Sequence, residues 1–431
     1  MPISPLRVWE KLQYTAQWGR LEMGEHVGLC RESLTDSDRE VRDWFVEEAK
    51  DIGCEVKVDK MGNIFAILPG RNNKLAPIGM GSHLDSQPAG GRFDGALGVI
   101  AALQVLRAVK ESGVLTNAPL AAINWTNEEG SRFPRMCTGS GVWSGAEDVA
   151  SSHALTDLAN PSITLGSELK RIGYLGTTPC SYRENPLSAH FELHIEQGPR
   201  LEKSRQKLAV VSGVQGMRAY EVRCQGSGGH AGAVPMSQRA DALAALATFV
   251  VKVEELARRE DAFGTVGVIE TDTSSPNTVP GRAFCTLDLR HHDEETLDTI
   301  EKELNAHLSG LERDRPGITV SMIKTRHKES IEFDPEASLC LQRAMMSTVN
   351  ESLVSKLESY AGHDSAETAL VIPTTMLFIP SKNGISHNPA EFSFEEDCEI
   401  GAQTLLQAVI NYDAFLEGRI ANNITRVYDV S

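Results

Sequence analysis

The chain lacks several things, and each absence narrows what it can be. No uninterrupted apolar run reaches the length of a bilayer-spanning helix, so the expected protein is soluble and globular. None of the eight cysteines (Cys30, Cys54, Cys137, Cys180, Cys224, Cys285, Cys340, Cys398) falls in a C-x-x-C pair. The start, Met1-Pro2-Ile3-Ser4-Pro5, has no apolar segment of the kind that directs secretion. Together these lead us to expect reduced thiols and a cytoplasmic location, with neither disulfide staples nor a zinc ribbon. Basic residues are outnumbered, 42 Lys and Arg against 59 Asp and Glu, for a formal charge of −17. Nucleic acid and anionic membranes both demand basic surface, so neither is expected as a partner. An anionic substrate would need a local positive well, from metal ions or a placed arginine.

What is present centres on residues 77–98. A short apolar run ends in His83-Leu84-Asp85, passes through a Pro/Gly-rich loop, and reaches Asp94-Gly95 at the start of a helical pattern. On a strand His83 and Asp85 would point to one face. One could then bind a metal while the other held its ring. A surface turn could carry the same residues, and it is the rest of the chain that favours a site.

At 431 residues and 41% hydrophobic content, two domains are expected. Ser37-x-x-Glu40 reads as a capping box opening a helix. Strands are expected at Cys54–Asp59 and Asn63–Leu68, then the strand into His83, then a buried helix from about Gly95 to Ser112. The run Pro119–Asn127 suits a strand covered on both faces, and it ends in Glu128-Glu129-Gly130. Strand Ala189–Gly198 places His190, Glu192, His194 and Glu196 on one face, and strand Thr375–Ile379 leads towards Ser386-His387-Asn388. The alternation indicates a doubly wound α/β core, whose ligands sit at the carboxyl ends of the strands. Two carboxylates directly after a buried strand would be costly without cations.

Between about residues 212 and 329 the pattern becomes β-α-β-β-α-β, a ferredoxin-like α+β unit. It comprises strand Met217–Gln225, a helix over Gln238–Glu260, strands Thr265–Glu270 and Arg282–Arg290, helix Glu294–Leu311 and strand Ile318–Lys324. Because His387 lies beyond it, we read it as an insertion. The expected organisation is a catalytic domain of residues 1–211 and 330–431, with a lid and dimerisation domain at 212–329.

His83, Asp94, Glu129, His194 and His387 supply five N/O ligands, with Asp94 able to bridge two ions. Mixed imidazole and carboxylate ligation suits Zn²⁺, with Mn²⁺, Co²⁺ or Ni²⁺ as substitutes. Two such ions roughly 3.5–4 Å apart would polarise a carbonyl and lower the pKa of a shared water. Glu128, beside a ligand but not needed as one, is the natural general base.

These motifs resemble the di-zinc amidohydrolases of the aminoacylase/carboxypeptidase clan, and more closely its hydantoinase/carbamoylase branch. That branch holds N-carbamoyl-L-amino-acid hydrolases, β-ureidopropionases and allantoate amidohydrolases. The resemblance runs from Gly79 to Tyr412. It rests on Gly81–Asp85, Gly91–Gly95, Asn127–Gly130, His194–Gly198, Gly229–Gly232, Pro276–Gly281, Asp288–His291, Gly362–Ser365 and Ser386–Asn388. Met136–Ser140 and Ile172–Gly176 look most like the fungal-type β-alanine synthase. His194, where aminopeptidase-like relatives carry an acid, favours the carbamoylase branch, and Ser86 departs mildly from the usual Thr.

The resemblance implies two divalent metal ions held by the five ligands, with Asp85 supporting them and Glu128 as acid/base. It implies substrate contacts from Gln197, His230, Asn277, Arg290 and His363. His230 and Arg290 would come from the other subunit of a homodimer, with His230 reaching a developing oxyanion and Arg290 gripping a carboxylate. It also implies a cis peptide after Asp94, a bond costing about 3 kcal/mol. The expected reaction is hydrolysis of an N-carbamoyl amino acid to amino acid, carbon dioxide and ammonia. The rivals are allantoate or another ureido acid as substrate, and an inactive metal-bound dimeric scaffold, which should have lost Glu128 or Arg290.

Overall fold

The computed structural model describes residues 6–418. They divide into two compact units, one running to Gly213 and resuming at Glu332, the other Val214–Ile331.

The first unit is built on a mixed sheet. Four strands at its centre run parallel, in the order Thr374–Ile379, Ala189–Ile195, Ile78–His83 and Leu120–Trp125. Antiparallel Ile64–Leu68 and Glu55–Val58 extend it on one side and Leu208–Val214 on the other. All four central strands are buried along their whole length, as expected of parallel strands covered on both faces. Helix Ala96–Ser112 packs on them and is buried over most of its surface, ending at Gly113 in the left-handed conformation. Because the four strands share one direction, their carboxyl ends, at His83, Trp125, Ile195 and Ile379, lie along a single edge.

Helix Asp36–Ile52 starts two residues earlier than Ser37-x-x-Glu40 suggests. Thr35 is its N-cap, and its hydroxyl accepts from Asp38 N. The Asp38 carboxylate reaches back to Leu34 N at 2.7 Å and pairs with Arg42 at 2.8 Å. The cap therefore falls on Thr35 rather than Ser37, and it prevails because Asp38 is buried with a cation to hold it. Arg42, also buried, donates to Gly62 O and Thr126 Oγ1 as well, so it ties this helix to the residue after the Leu120–Trp125 strand.

The second unit has a sheet in the order Phe263–Thr265, Arg282–His291, Gly216–Gln225, Thr319–Lys328, all antiparallel. Ile269–Thr271 also pairs with Arg282–His291, so the strand expected at 265–270 is two short ones broken at 266–268. Helices Ala242–Arg259 and Glu294–Asp314 complete the β-α-β-β-α-β order. Val222, Cys224, Ala283, Cys285, Leu287 and Leu289 share a core with Leu246, Phe249, Leu297 and Ile300 of the helices. The alternate residues, Arg223, Phe284, Thr286, Asp288 and Arg290, are half-buried or exposed, as the period-two pattern requires.

All eight cysteines are free thiols. Among the described residues no helix is long and apolar enough to cross a membrane.

Removing one partner of a buried ion pair strands the other charge, at about 3–5 kcal/mol. Arg42→Ala is therefore expected to lower the stability of the first unit by about that amount, read as the fall in its urea unfolding midpoint. A shift of less than about 0.5 kcal/mol would show that Asp38 has a better partner.

Candidate metal centre

Each central strand delivers a ligand-type side chain to the shared edge. His83 ends its strand, and its Nδ1 lies 2.9 Å from Asp85 O. A carbonyl can only accept, so Nδ1 carries the proton and the Nε2 lone pair faces the cluster. His194 repeats this arrangement, with Nδ1 2.9 Å from Ile195 O and Nε2 3.2 Å from Asp94 Oδ1. Asp94 Oδ1 also lies 3.8 Å from His83 Nε2, while its Oδ2 lies 3.3 Å from His387 Nε2. His387 Nε2 is in turn 3.4 Å from Glu129 Oε2. Two donor groups result, His83–Asp94–His194 and Asp94–Glu129–His387, each with its ligand atoms mutually within 4.8 Å. Asp94 belongs to both. Glu128 belongs to neither, yet its Oε2 is 3.5 Å from His83 Nε2.

The loops supplying these groups are held in sparsely populated conformations. Asn127, Gln197 and His387 all have φ between 53° and 58° although none is glycine. Gly95 needs its own φ of 65°, because a Cβ there would meet the His83 ring at 2.3 Å. No peptide bond among the described residues is cis, so the expected cis bond after Asp94 is replaced by a trans one. Glycine at φ 65° turns the chain into the following helix without it.

Asp85 also departs from expectation. It holds the His83 ring through its backbone carbonyl, not its carboxylate, whose nearer oxygen is 3.9 Å from Nδ1. The carboxylate instead accepts from Glu128 N at 3.3 Å and Glu129 N at 3.2 Å. It fixes the paired glutamates rather than the histidine.

The remaining site candidates separate. Gln197 joins the cluster, its Nε2 donating to Asp94 Oδ2 at 2.9 Å. His363 is buried beside it, with its ring edge-on to His194 at 4.6 Å and its Nε2 2.8 Å from Ser359 Oγ. His230, Asn277 and Arg290 lie in the second unit. There, strand Gly229–His230 pairs with Thr278–Val279, and Ala231 N donates to Asn277 O, so His230 and Asn277 are neighbours. Arg290 is forked onto Asp288, with Nε 2.8 Å from Oδ1 and Nη2 3.3 Å from Oδ2.

Several further side chains, none expected as a ligand or substrate contact, support the cluster. Glu391 Oε1 accepts from Phe93 N and Asp94 N, and Ser386 Oγ lies between Asp94 Oδ2 and Glu391 Oε2. Gln87 donates from both backbone and side chain to Glu129. Glu192 accepts from Ser82 and Ser365 and forms a further buried group with His194 and His363. Glu192 shares its strand face with His194, Ser386 adjoins His387, and Glu391 lies four residues after it, whereas Gln87 had no such hint.

Burial makes this charge expensive. Glu128 is pushed well above the usual carboxyl range by burial and then by Asp364 and Glu129. Burial, with Asp94 next, raises Glu129 to about 8. Burial raises Asp85 to about 7, with Asp38 adding to it. Asp94 goes the other way: burial would raise it, but hydrogen bonds from His194 and His387 hold it well below the ordinary value. Protein groups alone thus balance the cluster only by keeping protons on carboxyls and imidazoles. Divalent cations can take the place of those protons, and the Nε2 atoms of His83 and His194, both facing the cluster, are aimed to receive them. The residues fit a metal centre.

Residues 79–411 match the sequence profile of peptidase family M20/M25/M40. The chain is 36% identical to an N-carbamoyl-L-amino-acid amidohydrolase of Rhizobium meliloti, over 95% of this chain and 97% of that one. It is 31% identical to an allantoate amidohydrolase of Bacillus subtilis, covering 92% and 95%. A hydantoinase/carbamoylase family amidase from Burkholderia multivorans superposes with a TM-score of 0.86 at 38% identity, covering 96% and 98%.

Between pH 6.5 and 9 the shifted groups act in one direction. Asp85, Glu391 and Glu129 hold protons in the folded chain, to about 7, 7 and 8, that the unfolded chain releases. His194 and His387 are raised to about 9, so their contribution is complete below 6.5 and lost towards 9. His83, lowered to about 4, opposes this only below 6.5. Chelator-treated protein should therefore lose stability as pH rises through this window, with a Tm drop on the order of 5 °C, and added Zn²⁺ or Mn²⁺ should restore it. A flat, metal-insensitive Tm across the window would contradict the assignment.

Proposed function

The chain belongs to peptidase family M20/M25/M40, and from that premise we propose that it hydrolyses the amide C–N bond of N-carbamoyl amino acids. The observation that carries this reading is Asp94 shared between two donor groups, with Glu128 beside them and in neither. We assign His83, Asp94, Glu129, His194 and His387 as ligands of two divalent ions, Zn²⁺ first, with Mn²⁺, Co²⁺ or Ni²⁺ as substitutes. Bound there, such ions would supply Lewis acidity, polarising the ureido carbonyl and acidifying a water.

Glu128 takes the proton from the attacking water and returns it to the leaving nitrogen. Ammonia departs, and the carbamate left behind loses carbon dioxide to give the free amino acid. The burial that raises Glu128's affinity for a proton suits it to that shuttle. Asp85 keeps Glu128 and Glu129 in register through their backbone N–H groups. Gln197 and His363 border the ligands and are assigned to substrate contact.

We assign Val214–Ile331 as a lid and dimerisation domain, active as a homodimer. His230 would donate to the oxyanion and Asn277 would help to hold substrate. Arg290 would exchange its Asp288 partner for the substrate carboxylate, which it can bind bidentately. In a chain of charge −17, this anion clamp and the metal ions are the positive well an anionic substrate needs. The free thiols fit a cytoplasmic setting. Allantoate or another ureido acid is the second reading, favoured by the 31% identity to the allantoate amidohydrolase.

Ammonia release should be measured over N-carbamoyl-β-alanine, a set of N-carbamoyl-L-amino acids and allantoate, with Zn- and Mn-loaded protein. Turnover of a carbamoyl amino acid above allantoate is expected, and inertness towards the whole set would refute the reading. Glu128→Gln should keep its metal and lower kcat by about 10²–10⁴-fold. Loss of the charged hydrogen bonds in Arg290→Ala should raise KM by about 10- to 100-fold.

A further inference from the structure

We propose that Cys137 is the positioning residue for Glu128, its thiol fixing which carboxylate oxygen the base presents to the reacting centre. This rests on the reading of Glu128 as the base. The two oxygens of Glu128 have different surroundings. Oε2 faces His83 Nε2 at 3.5 Å, on the side of the donor groups. Oε1 accepts from Cys137 Sγ at 3.4 Å. The main chain of Glu128 is clamped as well, since its N–H donates to Asp85 and its carbonyl accepts from Cys137 N at 2.8 Å. Cys137 therefore grips both the backbone and the side chain of the same residue.

The backbone at Cys137 shows that this placement is imposed. Its φ of 52° and ψ of 37° are left-handed, a conformation that favours glycine and disfavours a residue with a Cβ. It is maintained by Asn127, whose amide donates to Phe133 O, Arg135 O and Thr138 Oγ1 and so ties down the loop from both ends. Glycine would adopt this turn without strain. Cysteine at such a point is explained by what its side chain reaches, and the thiol is buried and directed at Glu128. The contact needs no charge and no covalent step, only a donor at that place.

The test uses the full-length, metal-loaded enzyme and separates orientation from packing. Cys137→Gly relieves the left-handed strain, so it should fold at least as well as the wild type by Tm. Its kcat should nevertheless fall about 10-fold, the equivalent of one hydrogen bond, with KM changed less than about twofold and metal content unchanged. Cys137→Ser keeps a donor and should recover most of the loss. A second measurement does not depend on turnover: the infrared S–H stretch, compared between wild type and Glu128→Ala. One thiol band should move, and it should be the band missing from Cys137→Ser. Wild-type kcat in Cys137→Gly, a Cys137→Ser variant no better than Cys137→Gly, or an unmoved S–H band would each overturn the proposal. If the wild type hydrolyses no carbamoyl substrate, the functional reading falls, while the band shift still decides whether Cys137 holds Glu128.

Discussion

The structure is arranged around the cost of burying negative charge at one edge of a sheet. Asp85, Asp94, Glu128, Glu129, Glu192, Asp364 and Glu391 are all buried within or beside the donor groups. The buried arginines nearby are committed elsewhere, Arg31 to the carbonyls of Leu84, Thr15 and Trp18 and Arg42 to Asp38. Carboxylates in that setting must be protonated, hydrogen-bonded or matched by cations. Asp85, Glu192 and Glu391 accept backbone and hydroxyl protons, and Asp94 and Glu129 accept from Gln197, Ser386 and Gln87. Asp94 and Glu129 also face the histidines of the donor groups, where cations can complete the balance.

This constraint explains why the loops are strained where the strands are regular. A parallel sheet brings four strand ends to one edge at no conformational penalty, but a donor cluster needs side chains turned inward from several loops at once. Left-handed residues at Asn127, Gln197 and His387 and the glycine at 95 make those turns. The strain is supported by neighbouring hydrogen bonds, as with the three that Asn127 donates.

The parts legible in the sequence were those with a short-range signature. Period-two alternation located the Arg282–His291 strand and its buried face, and continuous apolar runs located Ile78–His83 and Leu120–Trp125. His83, Asp94, Glu129, His194 and His387 were legible as a set because each follows or ends such a run, and the structure brings them together. What was not legible depends on partners distant in the chain. The N-cap fell on Thr35 because Asp38 has a buried arginine to pair with. Asp85 serves the glutamates because their N–H groups, more than forty residues on, arrive beside its carboxylate. The trans bond after Asp94 reflects Gly95 and the ring it must clear. Gln87 and Glu391 act through contacts that no spacing rule encodes.

Glu391 reaches back almost three hundred residues to the N–H groups of Phe93 and Asp94, and His387 arrives on the same late segment. During synthesis the cluster therefore stays open until residues 387–391 have left the ribosome. A nascent chain holding only His83, Asp94, Glu129 and His194 has the acids without the last imidazole, and Asp94 without its backbone anchor. Assembly of the charged edge thus waits on the segment that carries His387 and Glu391, long after His83 and Asp94 have been made.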